Sequence, residues 1–270
     1  MSVEFDQITS ASNALVKQLR SLERKKGRNE TGLFLAEGVR LIEQALAQGW
    51  QVETLIISNS GAERVHIHAL AAKAEAQGAR LVQVPDRIAG SIARKDNPQA
   101  VIAAIRQREL DLGDLSTDFA GLWIGLYECR DPGNLGTILR TADCAGAAGV
   151  ILIETCCDPY SVEAVRASMG SVFDVALAQT DFASFNAWRQ AAGLSMVAAS
   201  VNGDTMHTGV EFERPSLILM GNEQAGLPAA VEAACDTLCL IPMRGGADSL
   251  NLAQATAVML YEGWRQRGFV

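Results

Sequence analysis

The chain has 270 residues, 49% of them hydrophobic and 20% charged, with a net charge of −8. That supplies ample apolar side chain for packed cores, and the length suits two domains better than one. No stretch approaches the roughly 18 apolar residues of a membrane span, and MSVEFDQITSASN shows no basic-then-apolar signal pattern, so a cytoplasmic protein away from the membrane is expected. Cys129, Cys144, Cys156, Cys157, Cys235 and Cys239 form no CxxC pair, and the histidines are only His66, His68 and His207. Disulfides, structural zinc and a His-based metal site are therefore not expected.

In chain order, residues 10–26 read as a helix, with Ser10 or Ser12 as cap and Leu15, Leu19 and Leu22 at helical spacing. FLAEGVRLIEQALAQGW reads as a strand running into an amphipathic helix and VETLIIS as a strand. HIHALAAKAEAQG follows as a helix with a Gly stop, then ARLVQVP and QAVIAAIRQ as strands. These make a small α/β domain over residues 1–108. The acidic stretch at 109–120 reads as a linker, and 121–270 as a second domain. There GLWIGLYE, GVILIE, MVAAS, SLILM and CLIP are short, continuously apolar strands with helices between them, the pattern of a parallel sheet covered on both faces.

Charge divides the chain in the same place. Residues 1–110 hold 15 Lys+Arg against 12 Asp+Glu, whereas 111–270 hold 8 against 19. The basic cluster Arg20, Arg24, Lys25, Lys26 and Arg28, with Arg94 and Lys95, is the candidate surface for a phosphate backbone, helped by Arg130 and Arg166 in the second domain. A solvated helix end is the alternative reading of the cluster.

In parallel sheets, ligands sit at the carboxyl ends of strands. Three polar, glycine-bearing segments follow strands here. CRDPGNLGTILRTADCAGAAGV turns at Pro132-Gly133, has Asn134 as a possible cap and carries Arg140 on the ensuing helix. GNEQAGLP sets Gly221 and Gly226 around Asn222 and Glu223. IPMRGGADSLNLAQATAVMLYE places Gly245, Gly246, Ser249 and Asn251 before an apolar helix. The outline also fits a dinucleotide crossover, but DPGNLG lacks the G-x-G-x-x-G fingerprint, and no GxxxxGK[ST] loop exists.

These segments, NLGTILRTADCAGAAGVIL, LILMGNEQAGLP and IPMRGGADSLNLAQATAVMLYE, resemble the three motifs of the SpoU (TrmH) family of RNA ribose methyltransferases in the SPOUT superfamily. FLAEGVRLIEQAL, ARKDNPQAVIAAI and ASMGSVFDVAL are similar to other segments of that family. The resemblance implies a C-terminal trefoil-knotted α/β domain with a parallel sheet behind a smaller N-terminal α/β substrate-binding domain. It implies a homodimer that methylates a ribose 2′-hydroxyl of RNA from S-adenosylmethionine, with ribosomal RNA as the substrate ahead of transfer RNA. A non-catalytic RNA-binding protein on the same scaffold is the further alternative; it would be expected to have lost the motif residues, and all are present. The resemblance also implies that Arg140, Asn134, Glu223, Ser249 and Asn251 carry the chemistry, while Ser200, Gly221, Ile241 and Leu250 hold the cofactor. Arg140 would position and stabilise the reacting oxygen, because a guanidinium stays protonated. Glu223 would orient Arg140 or the loops. Gln224 stands where many relatives have glycine, and Leu252-Ala253 replace a common Val-Ser.

Overall fold

A computed structural model describes residues 3–94, 99–108, 111–115, 121–212 and 214–269. Lys95 and most of the stretch read as a linker lie outside the described residues. Contacts divide the chain into two units, Met1–Arg108 with Tyr160–Phe173, and Glu109–Pro159 with Asp174–Val270. The segment Tyr160–Phe173 thus groups with the first unit, although it lies inside the 121–270 span. No helix among the described residues is long and apolar enough to cross a membrane.

The first unit is a five-stranded sheet in the order β1-β4-β3-β5-β2, from β1 (Asp6–Gln7), β2 (Leu33–Glu37), β3 (Val52–Ser58), β4 (Arg80–Val84) and β5 (Val101–Arg106). β5 runs antiparallel to β2 and β3, and the other pairs are parallel. Val16, Leu19 and Leu22 pack with Ile56, Val82 and Ile102 in its core. The grouping of Tyr160–Phe173 has an aromatic cause. Phe34 lies 4.7 Å from the Tyr160 ring and Trp50 lies 5.3 Å from Phe173, centroid to centroid. The Trp50 indole N–H donates to the Phe173 carbonyl at 3.0 Å, and the Tyr160 hydroxyl donates to the Arg108 carbonyl at 2.7 Å.

The single helix expected over 10–26 is two, Ala14–Ser21 and Lys25–Thr31. Asn13, not Ser10 or Ser12, is the cap: its Oδ1 accepts from Leu15 N at 2.9 Å, while the two serine hydroxyls bond each other at 2.8 Å. The break is made by Arg28, which is only 3% exposed. Its guanidinium donates to the carbonyls of Leu22 at 2.9 Å and Glu23 at 2.7 Å, the groups that a continuing helix would spend on its next turn. A helix over Asp86–Ala93 and a one-turn helix at Asn59–Ala62 join the expected elements.

The second unit holds a seven-stranded sheet, β6 (Trp123–Tyr127), β7 (Gly149–Ile153), β8 (Leu177–Thr180), β9 (Ser195–Ala199), β10 (Thr205–Met206), β11 (Ser216–Met220) and β12 (Thr237–Leu240), in the order β10-β12-β9-β11-β6-β7-β8. Every pairing is parallel, as the apolar runs predict. The short edge strands β8 and β10 went unread in the sequence, β10 being two residues long. Because all strands point one way, the loops after β6, β9, β11 and β12 emerge at one edge. The helices Pro132–Cys144 and Leu252–Gln266 pack against each other there.

Replacing Arg28 with Met should strand the Leu22 and Glu23 carbonyls, at a cost of about 1–3 kcal/mol in urea unfolding. Charge reversal at the exposed Lys26, whose ion pair to Glu30 spans 3.8 Å, should stay within about 0.5 kcal/mol of the wild type. Equal effects of the two changes would contradict the structural role given to Arg28.

Candidate active site

The helix after β6 begins at Pro132, and its cap is Asp131, not Asn134: the Asp131 carboxylate accepts from the Asn134 backbone N–H at 2.6 Å. Asn134 is thereby left on the first turn with its side chain uncommitted to capping. It meets Glu223 from the loop after β11, donating through Nδ2 to Oε1 at 3.2 Å. The same carboxylate accepts from Asp131 N and Arg130 N, each at 3.3 Å, and from the Cys129 thiol at 3.6 Å. Asn134 Oδ1 in turn accepts from Asn251 Nδ2 at 2.9 Å, and Asn251 Oδ1 accepts from Ala253 N at 2.9 Å, capping the C-terminal helix. A carboxylate that only accepts fixes the orientation of both amides in turn. One residue from each of the three motifs is therefore joined in a single directed chain.

Burial raises the Glu223 pKa, but hydrogen bonds from its own backbone N–H, from Asn134 and from the N–H groups of Arg130 and Asp131 outweigh this and hold it below the ordinary value. Glu223 is thus an anion that positions, with its lone pairs occupied, and not a base for neutral pH. The Cys129 thiol is pushed far up, first by its hydrogen bond with Cys157 and then by burial, so it stays a protonated donor.

The loop after β11 is built tightly. Asn222 and Gly226 exchange backbone hydrogen bonds at 3.0 Å in both directions. Asn222 Nδ2 donates to the Glu128 carbonyl at 2.8 Å, and its Oδ1 accepts from Gln224 N and Ala225 N at 2.9 and 3.0 Å. A Cβ at Gly221 would lie 2.6 Å from the Gly226 carbonyl carbon, and Gly226 itself has φ +66°. Close approach and positive φ, the two reasons for a glycine, occur at Gly221 and Gly226 respectively; Gly245 and Gly246 have neither.

Beside this chain of bonds lies a cleft of about 370 Å³. Ser200, Gly221, Ile241 and Leu250, the residues that the resemblance assigns to the cofactor, all line it, together with Ser249 and Glu223. Ser249 is exposed and does not cap the helix, a role taken by Asn251. Sequence reasoning missed Asn202 and Glu232 in the same wall. The Ser200 hydroxyl donates to Glu232 Oε1 at 2.5 Å, and Asn202 Nδ2 lies 3.1 Å from Oε2. Neither residue belongs to a motif.

Arg140 is not brought to the chain. It lies six residues beyond Asn134, about 120° around the helix, is exposed, and makes no hydrogen bond or ion pair among the described residues, so Glu223 does not orient it. The basic residues divide likewise. Arg28 is interior, Arg20 donates to Ser91 Oγ and to the Ala11 carbonyl, and Arg94 is paired with Glu23 at 2.6 Å. Arg130 pairs with Glu128 at 3.0 Å and Arg166 with Glu37 at 3.4 Å. Arg24, Lys25 and Lys26 remain exposed.

The sequence model of the SpoU rRNA Methylase family matches residues 121–261, and that of the MRM3-like substrate binding domain matches 13–103. The chain belongs to the SpoU rRNA methylase family. It is 32% identical over 270 residues to a 23S rRNA (uridine(2479)-2′-O)-methyltransferase of Streptomyces viridochromogenes, covering 97% of this chain and 92% of the relative. The crystal structure of an AdoMet-bound rRNA methyltransferase from Sinorhizobium meliloti superposes with a TM-score of 0.91 at 42% identity, covering 97% of this chain and 98% of that one. A tRNA (cytidine(34)-2′-O)-methyltransferase of Beijerinckia indica subsp. indica is 37% identical over 147 residues, which is 54% of this chain and 91% of the relative.

The depressed Glu223 pKa gives a signed expectation. Its contribution to stability is fully present above the unfolded value, near 4.5, and is lost as pH falls through the lower folded value. Unfolding measured between pH 6 and pH 3 should show a shallower loss of stability on acidification for Glu223→Gln than for the wild type. Identical slopes would remove Glu223 as the anion at the centre of the loops.

Proposed function

We propose that this chain transfers a methyl group from S-adenosylmethionine to a ribose 2′-hydroxyl of structured RNA, with ribosomal RNA the substrate. The observation that carries the reading is the convergence of Asn134, Glu223 and Asn251 beside a cleft lined by the four residues assigned to the cofactor. The cleft suits a nucleoside: it is lined by apolar Met220, Leu240, Leu252 and Ala255 together with polar residues, and its volume of about 370 Å³ is that of a small-ligand site. The missing Cβ at Gly221 keeps the loop backbone close enough to form one wall. When bound there, S-adenosylmethionine supplies an activated methyl group. Asn134 and Asn251 are held in fixed orientation to position the groups around it, and Glu223 fixes them.

Ribosomal RNA is favoured over transfer RNA by coverage. The ribosomal relative matches nearly the whole chain, N-terminal unit included, whereas the cytidine-34 tRNA relative matches about half. The N-terminal unit would then select the RNA, through the exposed Arg24, Lys25 and Lys26, of which Lys26 has only the solvent-exposed Glu30 beside it at 3.8 Å. The acidic second unit needs such a surface, since a polyanion is repelled by it.

A homodimer completes the reading. Arg140 is exposed with no partner among the described residues, and Tyr261 on the C-terminal helix is 43% exposed. Against a second copy, Arg140 would reach the other cleft and stabilise charge on the reacting oxygen. The threading of the loops after β11 and β12 into a knot belongs to the same reading. The cytoplasm is the matching location.

Incubation with 23S rRNA and labelled S-adenosylmethionine, followed by mass spectrometry of nucleosides, should show 2′-O-methylation. Arg140→Ala should lower turnover by about 10²–10³-fold while cofactor affinity changes less than about two-fold. A methylated base, or wild-type turnover in the variant, would overturn the assignment.

A further inference from the structure

The cleft has an electrostatic character that its assignment to S-adenosylmethionine does not by itself require. Glu223, Glu232 and Asp248 line it, and no lysine, arginine or histidine does so among the described residues. Glu232 is not a loose surface acid. Ser200 Oγ bonds its Oε1, and Asn202 Nδ2 spans both oxygens at 3.3 and 3.1 Å, so the carboxylate is held in the wall with acceptor capacity left on Oε2. The side chain sits on a one-turn helix, Ala229–Glu232, whose N-cap residue Pro228 directly follows the Gly221–Leu227 loop. Loop and carboxylate are therefore set by the same short stretch of chain.

Resting on the reading that this cleft takes the methyl donor, we propose that Glu232 and Asp248 are specificity residues that discriminate by charge between the donor and its demethylated product. The donor carries a sulfonium. When the methyl carbon forms its bond to the ribose 2′-oxygen, which releases the hydroxyl proton, its bond to sulfur breaks and that electron pair stays on sulfur, which becomes a neutral thioether, so the ligand loses one positive charge. A cleft walled by carboxylates and free of basic side chains attracts the first form more than the second, without any contact to the sulfur being needed. The device holds substrate and loosens product at the same site. It acts over the length of the cleft, so it is sensitive to salt: the screening length falls from about 10 Å at 0.1 M to about 3 Å at 1 M.

Calorimetry on the full chain tests this with three probes: S-adenosylmethionine, S-adenosylhomocysteine, and sinefungin, which keeps a positive charge through an ammonium group in place of the sulfonium. The wild type should bind both cationic probes about ten-fold more tightly than S-adenosylhomocysteine at low salt. Glu232→Gln and Asp248→Asn should each narrow that ratio to about three-fold, and 1 M salt should narrow it in the wild type. Asp248→Asn changes an exposed loop residue and guards against a folding defect in the first variant. Binding of all three probes with a ratio that neither the substitutions nor salt alters would overturn the inference and leave the cleft assigned. Failure of all three probes to bind would overturn the assignment of the cleft, and the inference with it.

Discussion

The second unit depends on one acceptor-only group. Glu223 receives hydrogen bonds from the backbone at 130 and 131, from the Cys129 thiol and from Asn134, and these donors all belong to the turn between β6 and its helix. A carboxylate in a half-buried loop with unfilled acceptors would be costly; filled this way, it fastens the turn after β6 to the loop after β11. The polarity it imposes on Asn134 propagates to Asn251, whose remaining oxygen caps the last helix. Reversing either amide would set like groups against each other. The site is therefore specified by hydrogen-bond direction as well as by distance.

The parallel sheet makes this fastening possible. With β6, β11, β9 and β12 adjacent and codirectional, four loops distant in sequence open on the same edge. Asn134 and Asn251 are 117 residues apart and meet because their strands end together. Glycine is needed where the loop after β11 folds back on itself: at Gly221 any side chain would strike the backbone of Gly226 and Leu227. The wall of the cleft and the hydrogen-bonded chain share this tightly folded loop.

Much of this was legible in the sequence. Short, continuous apolar runs announced the buried parallel strands, and each of the three motifs contained one of the residues the fold joins, Asn134, Glu223 and Asn251, while Arg140 of the first motif stands apart. What escaped depended on tertiary partners. Nothing in LRSLERKKGRNETG marks Arg28, among its charged neighbours, as the one whose guanidinium binds carbonyls inside the fold. Asp131 took the cap expected of Asn134, which freed Asn134 for the site. Glu232 and Asn202 follow no motif, and only the folding of β9 beside β12 brings them to the cleft. Tyr160 and Phe173 join the first unit through Phe34 and Trp50, a choice made by aromatic packing across more than a hundred residues.

The three loops form one unit coupled through Asn134. Glu223 and Asn251 bond to opposite ends of that amide and not to each other, so a double-mutant cycle between Glu223→Gln and Asn251→Ala, read as S-adenosylmethionine affinity, isolates the coupling. The account predicts a coupling energy of about 1 kcal/mol or more, because breaking either end already releases Asn134. Effects that add to within about 0.3–0.5 kcal/mol would show the two loops to be independent and contradict it.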